Sequence, residues 1–268
     1  MLTIVNVTGL GTFLISPLVI MAYQYYMSGK IELRLPFLVM YPFNEFDLRV
    51  YPFIYARHVI TSIFGLFTVV GPDCLYYTFC TFVQVQFRLL YHDFETIVTP
   101  NARIRIRNGN DKYHEKFRTC ISRHRELIRC SNLIETVYSK SSLFNFMSSS
   151  LLLCLAGFNI MDLAMSGNFL SFLFLCLLQI FLICVYGGNV SRASMDLSSA
   201  VYNSQWYTVD VNTAKNLLVI LTRAQKSCKL TAYMYAEINL VAFTRILSTS
   251  WSYFALLKSV RAARNAVL

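Results

Sequence analysis

Five apolar runs, each long enough to cross a bilayer, constrain this chain more than any other feature. A helix rising 1.5 Å per residue needs about 20 apolar residues to span the hydrocarbon core. The runs cover 2–27, about 59–90, about 143–165, 169–186 and about 232–257. Composition leaves little room for a soluble alternative. Of the 268 residues 56% are apolar or aromatic and 14% are charged, against about 25% charged in a soluble domain. Mean hydropathy is +0.48. The expected fold is all-α: a polytopic α-helical membrane protein with five transmembrane helices in a single membrane domain, 1–268, and cytoplasmic helical extensions. Disorder, a collagen-like fibre and most cytosolic enzymes are excluded by the same arithmetic.

Charge sets an orientation. The net charge is +10, and no Lys/Arg-rich segment is interleaved with base-stacking aromatics, so nucleic acid is not an expected partner. Ten Lys or Arg fall in 92–142 and five in 187–229, against four in 28–58, none in the 166–168 turn and three in the tail. Basic loops stay cytoplasmic. The N-terminus is therefore expected in the cytoplasm and the C-terminus outside, in a multi-pass plasma-membrane protein. The sequons at Asn6 and Asn189 then lie at or in the membrane on the cytoplasmic side and are expected to carry no glycan. Met1 enters the first run directly, without a basic n-region, so no signal peptide is expected. The connection between the third and fourth runs is three residues, Ser166, Gly167 and Asn168, which predicts an antiparallel hairpin.

The cytoplasmic segments, 92–142 and 187–229, carry helical patterns of their own. Phe117, Ile121, Ile128, Ile134 and Tyr138, with Leu127 and Leu133 beside them, predict an amphipathic helix over 112–143 that runs into the third span. A second is predicted over 212–228, with Asn212 as N-cap and Leu217, Leu218 and Leu221 on one face. Such helices pack a cytoplasmic layer against other subunits or lie on anionic headgroups. The polar stretch 101–111 reads as a loop.

No catalytic signature is present: no GxSxG, no HExxH, no Gly-rich phosphate loop. The eight cysteines lack zinc or CxxC spacing and are expected reduced. His114 and His124 sit among Arg and Lys and read as a solvated face. His92, Asp93 and Glu95 cluster after the second span without a second cluster to complete a metal site. Neither an enzymatic activity nor a metal or cofactor is expected. Ionisable residues inside spans are functional candidates by default. Asp73 follows Pro72 in the second span and reads either as a proton, ion or ligand contact or as a helix-packing acid. Glu237 and Arg245 of the fifth run stand eight residues, about 12 Å, apart and do not pair.

The fifth run is the most organised. At 100° per residue, Arg245, Thr249, Ser252, Leu256 and Val260 form one stripe flanked by Ser248 and Ser259. Hydroxyls on one face suit water or another helix rather than lipid. Two readings stand: a pore lining that closes on the aliphatic pair Leu256 and Val260, or Ser/Thr packing between helices.

Three strings carry a resemblance: Ser199-Ala-Val-Tyr-Asn-Ser-Gln-Trp206, Arg223-Ala-Gln-Lys-Ser-Cys228 and Phe243-Thr-Arg-Ile-Leu-Ser-Thr-Ser-Trp-Ser-Tyr-Phe-Ala-Leu-Leu-Lys258. In order and separation they resemble the last cytoplasmic loop and last helix of the insect odorant receptor family. Leu35-Pro36-Phe37 and Tyr41-Pro42-Phe43 resemble its second extracellular loop. The resemblance implies an odorant receptor of olfactory sensory transduction. Such a receptor is a ligand-gated, non-selective cation channel subunit in a hetero-tetramer with a co-receptor, on the dendrite of an olfactory neuron. It places the pore gate at Leu256 and Val260 and the pore lining at Arg245, Thr249, Ser252 and Ser259, with Ser259 where the co-receptor has an amide. It places a pocket for a small volatile odorant in the outer half of the membrane, with Tyr25, Tyr26, His58, Ser62, Phe172 and Leu175 as candidates.

The resemblance also carries departures. The family has seven helices, and the five runs here correspond to its helices 3–7. The chain is therefore expected to be a truncated product or partial gene model lacking the first two helices and one pocket wall. Residues 261–268 run past the family's usual end. Against this stand a G-protein-coupled receptor, a gustatory-type chemoreceptor and a membrane transporter. The first needs an extracellular N-terminus and an acid-Arg-aromatic triplet. The second ends in a different string. The third needs paired repeats of broken helices.

Overall fold

In the computed structural model the apolar runs become helices far longer than a bilayer crossing. The residues described are 2–29, 33–37, 39, 41, 42, 47, 49–97, 111–160 and 166–267, without the side chains of 2–6, 97, 111–114, 158–160, 166–169, 171, 172, 262 and 264–267. In chain order the elements are α1 (Leu2–Ser28), α2 (Tyr51–Ile97), α3 (Asp111–Ile160), α4 (Ser166–Asn203), a 3₁₀ turn (Trp206–Thr208), α5 (Val211–Ala224), β1 (Thr231–Ala232), β2 (Ala236–Glu237) and α6 (Leu240–Val267). The fold is that of an all-α membrane protein with one two-residue antiparallel ribbon among the described residues. Among the described residues, four helices are long and apolar enough to cross a membrane: Val7–Ser28, Tyr51–Thr96, Leu173–Asn203 and Leu240–Arg261. The run expected at 143–165 occupies the end of α3, and its residues 161–165 lie outside the described ones.

The 47 residues of α2 extend about 70 Å, more than twice the hydrocarbon thickness. The same holds for α3, with 50 residues. Both α1 and α2 continue through an internal proline, Pro17 and Pro72. Apolar helices tolerate this where local adjustment satisfies the freed carbonyl.

The chain forms two compact units, one of residues 1–75 and 156–176, the other of 76–155 and 177–268. In the second, the buried side chains recur every three or four residues, the period that keeps a helix face toward its neighbours. On α2 these are Tyr76, Cys80, Val83, Phe87, Leu90 and Phe94; on α3, Phe117, Cys120, His124, Leu127, Ser131 and Ile134. On α4 they include Ile180, Ile183, Val190 and Leu197, and on α5 Thr213, Leu217, Ile220 and Ala224. Polar ties join these elements. Arg123 donates to Asp93 Oδ2 at 2.6 Å and to Gln86 at 3.2 Å. Thr231 Oγ1 donates to Glu135 at 2.7 Å, and the Tyr233 and Cys228 amides donate to Ser139 and Ser194.

Several local expectations are corrected here. His124, read as solvated, is 6% exposed, its ring edge-on to Phe87 at 6.5 Å. Burial, helped by the nearby Arg223 charge, lowers its pKa to about 4. The α3 seam explains the change: it runs through Cys120, His124 and Ser131, while Leu133, one position off, is exposed. The N-cap of α5 is Asp210 rather than Asn212, its carboxylate accepting from the Asn212 and Thr213 amides. Ser166–Asn168, expected as a turn, are the first residues of α4.

The last helix begins at Leu240, not 232. Asn239 accepts from the Ala242 amide at 3.0 Å and caps it, and the preceding residues turn back through Tyr233 and Met234 at positive φ. Glu237 therefore sits on the ribbon, paired with Lys229. None of the eight cysteines forms a disulfide. Burial pushes the Cys120 thiol up to about 11, so it is an inert packing group rather than a nucleophile.

In the first unit, Tyr55 donates to the Leu14 carbonyl and Tyr51 to the Arg34 carbonyl at 2.8 Å. These bonds tie the connection after α1 and the start of α2 to α1.

Candidate functional site: the outward face of α6 and the aromatic cluster at His58

The first turn of α6 is set by Asn239, and its side chains then sort by angle. Toward the second unit point Ala242 and Ser250, which are buried, with Phe243, Leu247, Phe254 and Leu257 partly so. Ser250 Oγ meets Ser150 Oγ of α3 at 3.2 Å and donates to the Ile246 carbonyl at 2.8 Å. Phe243 stacks edge-on with Phe181 of α4 at 5.5 Å. This is where the packing serines of the helix are found.

The predicted stripe lies on the opposite side. Arg245, Thr249, Ser252, Leu256, Ser259 and Val260 are all exposed, Leu256 and Val260 each at 59%. The stripe hydroxyls donate inside their own helix: Thr249 to the Arg245 carbonyl at 2.9 Å, Ser252 to Ser248 at 3.0 Å, Ser259 to Leu256 at 2.8 Å. The fold thus leaves the six residues exposed on one face of α6, opposite its buried side chains.

Beside the stripe, α3, the ribbon and α6 enclose a groove of about 630 Å³, lined by Phe146, Met147 and Leu151 on one side, by Tyr235 and Ala236 of the ribbon, and by Arg245, Thr249 and Leu256 on α6. A second cavity, of about 530 Å³, is lined by Tyr202, Trp206 and Tyr207 with the apolar residues of α5.

The candidate ligand residues separate. His58 is 3% exposed. It shares a 2.8 Å hydrogen bond with the Tyr41 hydroxyl and lies edge-on to Phe37 at 5.5 Å, with Phe13 against Phe37 at 5.1 Å. Arg57 donates to the Tyr41 hydroxyl, its guanidinium 5.1 Å from the ring centre. Ser62 donates to the His58 carbonyl at 2.7 Å. Leu175 is half-buried and packs against Gly9, whose added β-carbon would stand 2.7 Å from Leu175 Cδ1. Tyr25 and Tyr26 are exposed, at 59% and 86%. The side chain of Phe172 lies outside the described residues.

A family model described as 7tm Odorant receptor matches residues 1–251. The chain belongs to the odorant receptor family. Odorant receptor 85b of Drosophila melanogaster is 30% identical over 235 residues, covering 85% of this chain and 57% of that receptor. Odorant receptor 22c of the same species is 26% identical over 256 residues, covering 93% and 63%. The insect olfactory receptor OR5 from Machilis hrabei, solved in complex with eugenol, superposes with a TM-score of 0.83 at 19% identity, covering 97% of this chain and 64% of that one. At that identity the likeness is one of fold. This odorant receptor chain spans roughly three-fifths of the length of the receptors it matches.

Two groups in this odorant receptor chain escape a reading of periodicity. Phe13, Phe37 and Tyr41 join His58 only because the connection after α1 folds back, which no local pattern encodes. Ser150 carried a local signal, three consecutive serines at 148–150 inside an apolar run, but its partner lies 100 residues away.

Proposed function

We propose that this chain acts as a subunit of an odorant-gated, non-selective cation channel, assembled with a co-receptor in a hetero-tetramer, with α6 lining the pore. The observation that carries this reading is the outward stripe of α6. It unites an Arg, three hydroxyls and an aliphatic pair, all exposed, on one face of the helix. A hydroxyl that donates to its own helix presents its lone pairs outward, which suits a cation or a water file. Leu256 and Val260 are large and apolar, and a ring of such side chains closes a narrow pore by dewetting.

The orientation follows from the basic residues: 92–142 and 187–229 in the cytoplasm, the N-terminus with them and the C-terminus outside, in the dendritic membrane of an olfactory neuron. Ligand recognition is assigned to the buried aromatic surroundings of His58 and Ser62, with Leu175 and Phe172 as further wall residues and Tyr25 and Tyr26 at the rim. OR5 holds eugenol, and an aromatic pocket with one or two polar groups suits a small volatile of modest polarity.

The test is electrical. In a complete receptor with its co-receptor, Leu256→Ala together with Val260→Ala raises basal current. Unchanged leak with unchanged agonist response overturns the gate.

A further inference from the structure

We propose that the groove between α3 and α6 holds an acyl chain of an anionic membrane phospholipid, with the lipid phosphate on Arg245. On the α3 side the groove lining is largely apolar, including Phe146, Met147 and Leu151. Along α6 it runs from Arg245 to Leu257, about 18 Å at the helical rise. That is close to one leaflet, half of the roughly 30 Å hydrocarbon core. The groove therefore has the length of one lipid tail.

Charge selects the headgroup. Arg245 lies within a helix apolar enough to cross the membrane and is exposed on the edge shared by the groove and the outward stripe. A cation within such a helix faces water or takes a partner, and on the groove side the partner is an anion. The chain has no Asp or Glu from 136 to 161 and none after Glu237, and Glu237 is engaged by Lys229. A second copy of the chain seated in the groove with its own α6 or the end of its α3 would bring the same acid-free surfaces. A lipid phosphate supplies the counter-ion that these surfaces lack, since a guanidinium binds phosphate in a bidentate fork. Under the orientation proposed above, Arg245 lies at the cytoplasmic end of α6, where anionic lipids concentrate. Only the choice of leaflet rests on that reading.

The experiment uses the purified chain in nanodiscs of phosphatidylcholine and phosphatidylglycerol in equal parts. A trace of either lipid carries a photoactivatable acyl chain, and labelled peptides are mapped by mass spectrometry. The expected result is labelling within 143–154 and 245–257, about fivefold stronger with phosphatidylglycerol, the preference expected of one basic side chain. Arg245→Gln abolishes the preference and Arg245→Lys keeps most of it; Arg245 is exposed, so both variants are expected to fold, checked by monodisperse elution. Leu151→Trp fills the groove and removes labelling by both lipids.

Equal labelling of the native chain by the two lipids overturns the proposal, as does a preference that survives Arg245→Gln. A disulfide formed between copies carrying Leu151→Cys and Leu256→Cys overturns it by assigning the groove to a neighbouring subunit. Because labelling needs no current, its failure and a failure of the gate are separately visible.

Discussion

Gly187 of α4 meets the backbone of Ile238: a β-carbon on Gly187 would stand 2.7 Å from the Ile238 carbonyl oxygen, with Ile238 Cγ2 at 2.8 Å and the Tyr76 hydroxyl at 2.9 Å. This contact seats the turn between the ribbon and α6 on α4 and α2, directly before the helix proposed to line the pore. The carbonyl belongs to the main chain and cannot swing aside.

Gly187→Ala is accordingly expected to destabilise the chain by about 1–3 kcal/mol, the cost of overpacking a close contact. Gly188→Ala is the control, since its β-carbon would meet Asn239 only at 3.7 Å. Thermal melts of the two variants in the same detergent should separate clearly; coincident curves would remove Gly187 as the seat.

The Arg123–Asp93 bridge, 2.6 Å long and about one-third exposed on each side, links α3 to α2. Solvent screening limits such a pair to about 0.5–1 kcal/mol. A double-mutant cycle of Arg123→Gln and Asp93→Asn is expected to show coupling of that size. Gln86 also receives a bond from Arg123, so the single Arg123→Gln change should cost more than Asp93→Asn.

His124 gives the packed layer a pH dependence. Its folded pKa is lowered from the ordinary 6.5 to about 4 by burial and by Arg223. Below about pH 6.5 the unfolded chain binds a proton that the folded chain does not, so this contribution is intact above 6.5. It is lost as pH falls toward 4, by at most about 1.4 kcal/mol per unit. The melting temperature of the native chain should fall more steeply than that of His124→Gln across this window. Parallel slopes would mean that the imidazole is hydrated in the folded state.

Asp210 caps α5 through two backbone amides, at 3.1 and 3.2 Å. Burial raises its pKa, but the bonds from Thr213 and Asn212 outweigh it and leave the carboxyl below its ordinary 3.8. Asp210→Ala is expected to cost about 1 kcal/mol and Asp210→Asn much less, both being measurable by melting. Asn212→Ala should have little effect, because Asn212 contributes only its main-chain amide to the cap.

How far the sequence carries can be judged from α6. That its stripe residues share one face was legible, because face-sharing on a helix follows from angle; that this face is exposed was not, since the sequence left packing between helices open and only the fold shows each stripe hydroxyl donating within its own helix. Its first turn was not, because residues 232–239 are apolar enough to continue the run. The ribbon wins there through bonds from Thr231 to Glu135 and from Tyr233 to Ser139, groups almost a hundred positions away in the chain. His124 was misplaced for a related reason: its neighbours are charged, but the seam that buries it belongs to partners on α2 and α5.

By itself, then, the sequence determined what depends on local period and composition: long apolar helices, an uneven distribution of basic residues, the shared face of the α6 stripe and membership of the odorant receptor family. Tertiary structure decided what depends on which surfaces meet: the burial of His124, the aromatic enclosure of His58, the start of α6 at Leu240 and the groove ending at Arg245. The division is physical, since hydrophobic period acts over a few residues, whereas caps, cavities and counter-ion sites are made by groups far apart in the chain.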